Sequence, residues 1–438
     1  MKIAAYVQQS YAKQAYSNEN FNRRAWIGLE VIIDALRCSG YAVDYAGAAT
    51  IHQYDVVLVS LTSDCDWWSF IAERLTWQPG PYKIIVGGAG LLNVRPFLDY
   101  FDVGVLGRGE NLIVPIIESL PGEFTHASVI YPQSFNLDGQ YHIMQATRPY
   151  PNVVRLQQRG KTFKEFDIGC PYKCYFCGYT WQRQYVGAGT YQAGHGIFSN
   201  DNREQAMLDI IGNPPSTWQE QGSLRIIGLD GISERLRLMV NKKITRPILR
   251  DFFAGLATIP VPHQIKMYNI VGYPTETESD FMEFIEDLQT IDKTLSPGKQ
   301  WSIVLHCTPF RAMPATPAAC WSMSYRNYRG QIVKWLSGGK YKGNIFYKGN
   351  RFWAVEGMGT DALPSVTLSA ICHRGTETDA SAVRKIACAP AFWKADTRTR
   401  QATLEKYFDV EKLFGTFTWD NLPTRYLRTY AEVERIKA

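Results

Sequence analysis

The sequence lacks any apolar run as long as the about 18 residues that a membrane-spanning helix needs. The apolar run after the first lysine is too short for the core of a secretory signal peptide. No internal repeat, low-complexity tract or block of Lys and Arg residues occurs. We therefore expect a cytoplasmic protein without membrane association, whose length suggests about three domains.

Histidine and cysteine are both sparse, with seven and nine residues in 438. The histidines show no spacing typical of paired metal ligands. An odd number of cysteines scattered over a long chain argues against a disulfide framework, and three of the nine fall within eight positions. This clustering favours a metal site in a reducing compartment.

Charge is unevenly placed along the chain. Residues 1–125 carry nine Lys and Arg against thirteen Asp and Glu, whereas residues 126–438 carry 38 against 28. A basic second part leaves open an acidic partner such as a nucleotide or nucleic acid, although an ordinary solvated surface gives the same excess.

The first part of the chain alternates between short apolar runs and helical spacing. Residues 25–40 and 67–76 have helical periodicity. Near-continuous apolar runs, typical of strands buried on both faces of a parallel sheet, occur at 2–7, 55–60, 83–88 and 102–107. The pattern predicts an α/β fold that begins with a Rossmann-like domain over residues 1–125.

Small and hydroxyl-bearing residues follow two of these strands. Ser60 and Thr62 come after one strand, and Gly87 and Gly88 come after another. Ligands bind at the carboxyl ends of strands in such sheets, and bare backbone permits close approach of a large cofactor or its phosphate. Glycines at these turns also occur for purely structural reasons.

A second α/β series follows a polar connector at residues 126–160. Its predicted strands are 162–169, 196–200, 224–230, 265–272 and 302–310, and its predicted helices are 203–211, 232–240, 246–257 and 277–291. This series predicts a partial TIM-type (βα) barrel over residues 161–330. Residues 331–438, rich in aromatic and basic side chains, form the smaller C-terminal α+β region, which we expect to cap the barrel or contact substrate.

The sequence CPYKCYFC at 170–177 places Cys170, Cys174 and Cys177 in the spacing C-x3-C-x2-C. A structural zinc site needs four ligands, and a disulfide would leave one thiol over. Three thiolates suit a [4Fe–4S] cluster with one iron left open for chemistry.

This motif, with an aromatic residue before its third cysteine and a predicted strand before it, resembles the signature of radical S-adenosylmethionine (SAM) enzymes. The resemblance implies that the open iron binds SAM and that an electron from a flavodoxin- or ferredoxin-type donor cleaves it to a 5′-deoxyadenosyl radical. That radical removes a hydrogen atom from the substrate. In such enzymes the protein orients the cofactor and excludes water.

Later segments resemble the SAM-binding stretches of the cobalamin-domain branch of these enzymes. GLDGISERLRLMVNKKIT at 228–245 and NIVGYPTETESD at 269–280 follow the cysteine motif in that branch's order. The resemblance implies cofactor contacts from Phe176, Ser199, Asn200, Asp230, Ser233 and Gly272.

Members of this branch carry a cobalamin-binding, Rossmann-like domain before the barrel. The resemblance places Ser60, Thr62, Gly87 and Gly88 where that domain approaches the cofactor. The Asp-x-His-x-x-Gly motif that supplies an axial histidine is absent. We therefore expect a SAM-binding [4Fe–4S] protein in which cobalamin is a further candidate cofactor.

These expectations lead to several functions. With cobalamin, the implied reaction is methyl transfer to an unactivated carbon of a small-molecule substrate. Without it, the alternatives are a radical rearrangement, a lyase step or another modification of a nucleobase or nucleotide-linked substrate, with nucleic acid as one candidate. A different class, an iron–sulfur redox or binding protein, would need a fourth cluster ligand that this loop does not supply.

Overall fold

The fold was obtained as a computed structural model of the chain. It describes residues 1–6, 27–64, 66–156, 161–165, 168–170, 172–186, 224–258, 264–295, 301–324, 332, 340–342, 345–348, 351–356 and 362–427.

The first part of the chain forms a six-stranded sheet. Its strands are β1 (Ile3–Tyr6), β2 (Val43–Ala46), β3 (Val56–Ser60), β4 (Lys83–Gly87), β5 (Val103–Val105) and β6 (Val129–Ile130). They lie in the order β2-β1-β3-β4-β5-β6, and the first five are parallel. Strand β6 pairs antiparallel with β5.

Helices cover both faces of this sheet because its strands are apolar on both sides. Val57 and Val59 of β3 belong to one core, which also contains residues of the helix α2 (Asp66–Arg74). Leu58 points into the other core, with helices α1 (Ile27–Cys38) and α3 (Ile113–Ser119). The alternation follows from the two-residue period of a strand, and the predicted α/β class with a parallel sheet is confirmed.

The connector at 126–160 packs on this first sheet. It contains β6, and the backbone of Met144 exchanges hydrogen bonds with Leu106 and Arg108 at distances of 2.9 and 3.1 Å. Gly107 adopts a φ of 84°, and a Cβ there would lie 2.5 Å from the Met144 carbonyl oxygen. The connector is thus packed against the first sheet and supplies one of its strands.

The second part of the chain forms another six-stranded sheet. Its strands are β9 (Leu224–Gly228), β10 (Gln264–Val271), β11 (Trp301–Pro309), β12 (Lys340–Lys342), β13 (Ile345–Lys348) and β14 (Arg351–Glu356). The order is β12-β13-β14-β11-β10-β9. Strands β9, β10, β11 and β14 are parallel, and β12 and β13 are antiparallel additions. The sheet therefore continues beyond residue 330, where the sequence predicted a boundary.

Three described helices connect these strands: α5 (Glu234–Met239), α6 (Arg246–Thr258) and α7 (Glu278–Thr294). Helix α7 begins with a capping box, in which Thr277 and Asp280 satisfy each other's backbone N–H groups. The strand predicted at 196–200 and the helix predicted at 203–211 lie outside the described residues.

The strand predicted at 162–169 differs from the structure. Among the described residues of this range, the strand is β8 (Lys161–Phe163), which pairs antiparallel with β7 (Val154–Leu156) rather than with the second sheet. Further on, Ile168 forms an isolated bridge with Val186. Glu165, in the same segment, contacts Arg108 and the Tyr150 N–H.

The C-terminal helices are α8 (Ala362–Arg374), α9 (Ala380–Ala387), α10 (Pro390–Lys394), α11 (Thr397–Tyr407) and α12 (Val410–Phe414). Asn93 of the first part donates a hydrogen bond of 2.8 Å to the Gly375 carbonyl after α8. The indole rings of Trp68 and Trp393 pack edge to face at 6.5 Å. In the described ranges, no helix is both long and apolar enough to cross a membrane.

Candidate functional site

The cysteine motif lies on a loop that leads directly into helix α4 (Gly178–Trp181). The Cys177 N–H donates to the Cys174 carbonyl at 3.1 Å, which makes a tight turn between the two thiols. Two side chains of α4 donate back to the loop: Thr180 Oγ1 to the Cys170 carbonyl at 2.7 Å and Trp181 Nε1 to the Cys174 carbonyl at 2.9 Å. The short helix therefore fixes the backbone that carries the thiols.

Residues that follow α5 hold the other side of the loop. The Asn241 side-chain amide donates to the carbonyls of Tyr172 and Lys173 at 3.3 and 3.0 Å. The Tyr175 N–H donates to the Val240 carbonyl at 2.9 Å. Lys173 has a φ of 53°, a conformation that non-glycine residues adopt at a cost and that these contacts maintain. The loop is thus tied to the two residues that directly follow α5.

The three thiols are free of disulfide bonds. Burial raises the pKa of Cys174 to about 12, and nearby Lys242 opposes that shift. Burial likewise raises the pKa of Cys177, and the charges of Cys170 and Asp230 add to the rise. The thiols, Asp230 and Lys242 therefore lie within electrostatic reach of one another.

Asp230 and Lys242 form an ion pair beside the cysteine loop, with Lys242 Nζ 2.7 Å from Asp230 Oδ2. Burial alone would lower the pKa of Lys242, but the charges of Asp230 and Cys174 outweigh burial and raise it. Asp230 follows β9 with a φ of 55°, and the Tyr273 hydroxyl donates to its carbonyl at 2.8 Å. The sequence predicted Asp230 as a site residue and missed Lys242, although Lys242 lies in the stretch 228–245 that carries the resemblance.

Ser233 and Gly272, both predicted to contact SAM, have internal roles in the fold. Ser233 is fully buried, caps α5 through the Leu236 N–H and donates to Asp280 at 2.6 Å. Gly272 has a φ of 85°, and a Cβ there would lie 2.1 Å from the Ser324 carbonyl oxygen. These protein contacts explain both residue types, so their contacts with SAM stay predictions.

Phe176 is half-buried and packs against the main hydrophobic core. Its predicted place beside the adenine of SAM stays a prediction. Ser199 and Asn200 lie outside the described residues.

The donor set of the loop fits an iron–sulfur cluster chemically, because thiolate is the usual ligand of such clusters. In the part of the chain that the structure describes, no three Cys, His, Asp or Glu side chains converge closely enough to hold a metal ion. The fit therefore rests on three reduced thiols on one anchored loop.

A cavity of about 320 Å³ lies at the carboxyl edge of the first sheet. It is lined by the four residues predicted there for a large cofactor: Ser60, Thr62, Gly87 and Gly88. Apolar side chains from three parallel strands, Leu58, Ile85 and Val105, also line the cavity. The structure thus brings the four predicted residues together around one space, as the strand-end rule requires.

The four residues differ in what surrounds them. A Cβ at Gly88 would lie 2.4 Å from the Leu61 carbonyl oxygen, so that glycine is needed by the loop itself. A Cβ at Gly87 would lie 3.8 Å from its nearest neighbour outside the adjacent residues, the Val105 carbonyl oxygen. Thr62 donates to Asp66 at 2.8 Å. Gly87 is therefore the glycine that leaves room for a ligand.

Residues that flank the cysteine loop also line the cavity: Glu165, Ile168, Tyr179, Gln182 and Arg183. Arg183 stacks over the Tyr179 ring at 4.4 Å, and burial raises the pKa of Tyr179 to about 12. The cavity is thus lined both by the first sheet and by residues on either side of the loop that carries the thiols.

The sequence matches no protein-family model. Among curated proteins it is 23% identical over 295 residues to the uncharacterized protein MJ0966 of Methanocaldococcus jannaschii, an alignment that covers 56% of this chain and 65% of that protein.

Two solved structures of one protein are similar to this chain, both of the cobalamin-dependent S-adenosylmethionine radical enzyme OxsB. The form with aqua-cobalamin and S-adenosylmethionine bound is 11% identical with a TM-score of 0.25, and the apo form is 13% identical with a TM-score of 0.27. Each comparison covers 100% of this chain and 61% of the OxsB chain. The chain therefore spans less than two thirds of the length of the proteins it matches. Because both TM-scores are far below 0.5, the fold described above rests on this chain's own strand order.

Proposed function

We propose that this chain is a radical SAM enzyme in which Cys170, Cys174 and Cys177 hold a [4Fe–4S] cluster. The observation that carries the proposal is the anchored loop itself, with three reduced thiols beside a carboxylate–ammonium pair. When bound, the cluster supplies the electron that cleaves SAM, and the radical so formed removes a hydrogen atom from the substrate.

The chain's own residues prepare this site in two ways. Thr180 and Trp181 donate hydrogen bonds to the carbonyls of Cys170 and Cys174, and the rings of Trp181 and Tyr175 lie 6.4 Å apart on the same segment. Asp230 and Lys242 carry the two charges complementary to the amino-acid end of SAM, which has both an ammonium and a carboxylate. An external flavodoxin- or ferredoxin-type protein is the proposed electron donor.

The test is anaerobic reconstitution with iron and sulfide, followed by addition of SAM and a strong reductant. We expect 5′-deoxyadenosine from the wild-type chain and none from Cys174→Ala. The matched control is Cys388→Ala, because Cys388 is an exposed free thiol outside the motif. Product formation by Cys174→Ala at the wild-type rate would refute the cluster assignment.

We also propose that the cavity at the first sheet takes the nucleotide tail of cobalamin. The open space above Gly87, with Ser60 and Thr62 at its edge, supports this proposal. With a corrin present, methyl transfer to an unactivated carbon of a small-molecule substrate is the proposed reaction. Corrin absorbance that stays with the protein after gel filtration is the measurement that checks it.

Absence of corrin binding together with SAM cleavage would favour the alternative reactions, a rearrangement, a lyase step or the modification of a nucleotide-linked substrate. Salt-dependent binding to an oligonucleotide would then favour a nucleic-acid substrate. Reversible one-electron chemistry without any SAM cleavage would point to the iron–sulfur redox protein instead.

A further inference from the structure

Arg183 is a cation of the cavity wall that has no carboxylate partner in the described part of the chain. The residue lines the cavity and is half-buried, so it keeps accessible surface there. Among the residues that the structure describes, no Asp or Glu oxygen lies within 4.0 Å of its guanidinium. A charge beside an apolar space interacts more strongly with an anion than a charge in open water does.

Tyr179 holds the Arg183 guanidinium at the cavity wall. The central carbon of the guanidinium lies 4.4 Å from the centroid of the Tyr179 ring, and Tyr179 also lines the cavity. Burial raises the pKa of Tyr179 to about 12, although the charge and a hydrogen bond of Arg183 oppose the rise. The phenol is therefore neutral, and the positive charge of Arg183 is not cancelled by it. A guanidinium that stacks on a ring keeps further N–H groups for a ligand.

The backbone on both sides of Arg183 is fixed by one side chain, Gln145. Its amide nitrogen donates to the Gln182 carbonyl at 3.0 Å, and its amide oxygen accepts from the Gln184 N–H at 2.6 Å. The guanidinium is thus presented from a backbone that is already ordered, which lowers the entropy that a ligand must overcome on binding.

The other cation among the described lining residues, Arg108, is occupied by carboxylates. It donates to both oxygens of Glu165 at 2.6 and 2.8 Å and to Glu110 at 2.6 Å. Two carboxylates around one guanidinium leave this group of three with a net negative charge, which repels an anion. An anionic part of a ligand in this cavity is therefore best met at Arg183.

We propose that Arg183 binds the phosphate of the nucleotide tail in this cavity. The inference rests on the proposed function for the ligand and deepens it, because it gives the single negative charge of the tail a partner on this chain. A guanidinium can donate two parallel N–H groups to a phosphate, a geometry that an ammonium group does not offer. Arg183 and Cys177 lie on the same anchored segment, so this contact would tie the tail to the part of the chain that carries the thiols.

The test compares two corrins on the full chain, hydroxocobalamin and hydroxocobinamide, the same corrin without the nucleotide and its phosphate. Titrations followed by absorbance measure both dissociation constants. We expect Arg183→Gln to bind hydroxocobalamin about tenfold more weakly than wild type does and to bind hydroxocobinamide with unchanged affinity, because only the first corrin carries the phosphate. Arg183→Lys keeps the charge and loses the fork, so its hydroxocobalamin affinity should lie between those of wild type and Arg183→Gln.

The matched control is Arg74→Gln. Arg74 is half-buried and lies over the rings of Trp77 and Tyr82 at 5.4 and 5.5 Å, but it does not line the cavity. Its variant loses the same kind of aromatic contact and should bind both corrins as wild type does. Wild-type hydroxocobalamin affinity in Arg183→Gln would overturn the inference. An equal loss of affinity for both corrins would also overturn it, because Arg183 would then shape the cavity without binding the phosphate.

The outcomes separate this inference from the proposed function. If wild type binds hydroxocobalamin and Arg183→Gln binds it equally well, the role of Arg183 falls and the cobalamin proposal stands. A wild-type chain that binds neither corrin overturns the role of Arg183 together with the cobalamin proposal. The cluster proposal is tested independently in either case by the formation of 5′-deoxyadenosine from SAM.

Discussion

Arg108 and Glu165 form a two-pronged ion pair that joins the first sheet to the segment just before the cysteine loop. The two N–O distances are 2.6 and 2.8 Å, and the side chains are 17% and 5% exposed. Burial alone would lower the pKa of Arg108, but Glu165 and Glu110 outweigh burial and raise it. The carboxylate of Glu165 also accepts from the Tyr150 N–H at 2.7 Å, so it organises the connector as well.

Removal of the arginine should therefore destabilise the protein strongly. Arg108→Met leaves Glu165 buried without its cation, and we expect the free energy of unfolding to fall by about 3–5 kcal/mol. Urea unfolding followed by tryptophan fluorescence measures the change.

The matched control is Arg95→Met. Arg95 makes the same two-pronged contact with Glu377, at 2.7 and 2.9 Å, but Glu377 is 50% exposed. Water screens this pair, so its loss should change the free energy of unfolding by about 1 kcal/mol or less. Equal losses for the two variants would show that burial of Glu165 does not matter.

Gly87 and Gly88 should respond in opposite ways to substitution. Gly87→Val places its side chain in the cavity, where a Cβ meets no protein atom within 3.4 Å. We expect corrin affinity to fall by at least about tenfold, because overpacking a site costs roughly 1–3 kcal/mol. A corrin titration followed by absorbance measures the loss.

Gly88→Ala should instead destabilise the free protein. Its Cβ would lie 2.4 Å from the Leu61 carbonyl oxygen, and its φ of 109° is unfavourable for a residue with a side chain. We expect a loss of about 1–3 kcal/mol in the free energy of unfolding.

Unchanged corrin binding in Gly87→Val would show that the ligand does not occupy the space above Gly87.

Asp280 should make part of the free energy of unfolding sensitive to acid. Burial would raise its pKa, but hydrogen bonds from Arg235, Ser233 and Thr277 outweigh burial and lower it to about 2. Since the unfolded chain binds a proton near pH 3.9, the contribution is present above that pH and is lost as the pH falls towards about 2.

The size of this effect is about 2–3 kcal/mol, from a pKa difference of about two units. Asp280→Asn should lack it, so the difference in free energy of unfolding between wild type and Asp280→Asn should shrink as the pH falls from about 5 to about 2. Urea unfolding at several pH values measures the difference. A difference that is constant over this range would mean that the carboxylate is not stabilised by its neighbours.

The parallel strands could be predicted because each is a short apolar run with both faces buried. Strands β3, β4 and β11 begin and end within a residue or two of the predicted limits. Strand β2 was missed, because its sequence VDYA has an exposed Asp44 and pairs at the sheet edge. Edge strands of this kind carry little apolar signal.

The site could be predicted only where the signal was local. The spacing of Cys170, Cys174 and Cys177 is contained in eight residues, and the strand-end residues follow from the sheet's direction. The pair of Arg108 with Glu165, by contrast, joins residues that are distant in sequence, as does the hydrogen bond from Gln145 Nε2 to the Gln182 carbonyl. Their roles appear only when the connector folds back on the first sheet, which no local periodicity encodes.

The helix α8 packs on the loop after β3, where Ser369 donates to Asp64 and His373 Nε2 lies 3.2 Å from the same carboxylate. These partners are separated by more than 300 positions, so a ribosome must translate most of the chain before the loop after β3 is covered. The N-terminal sheet would meanwhile present Trp68 and its apolar neighbours to solvent. A shortened chain that stops after the first sheet would therefore tend to aggregate.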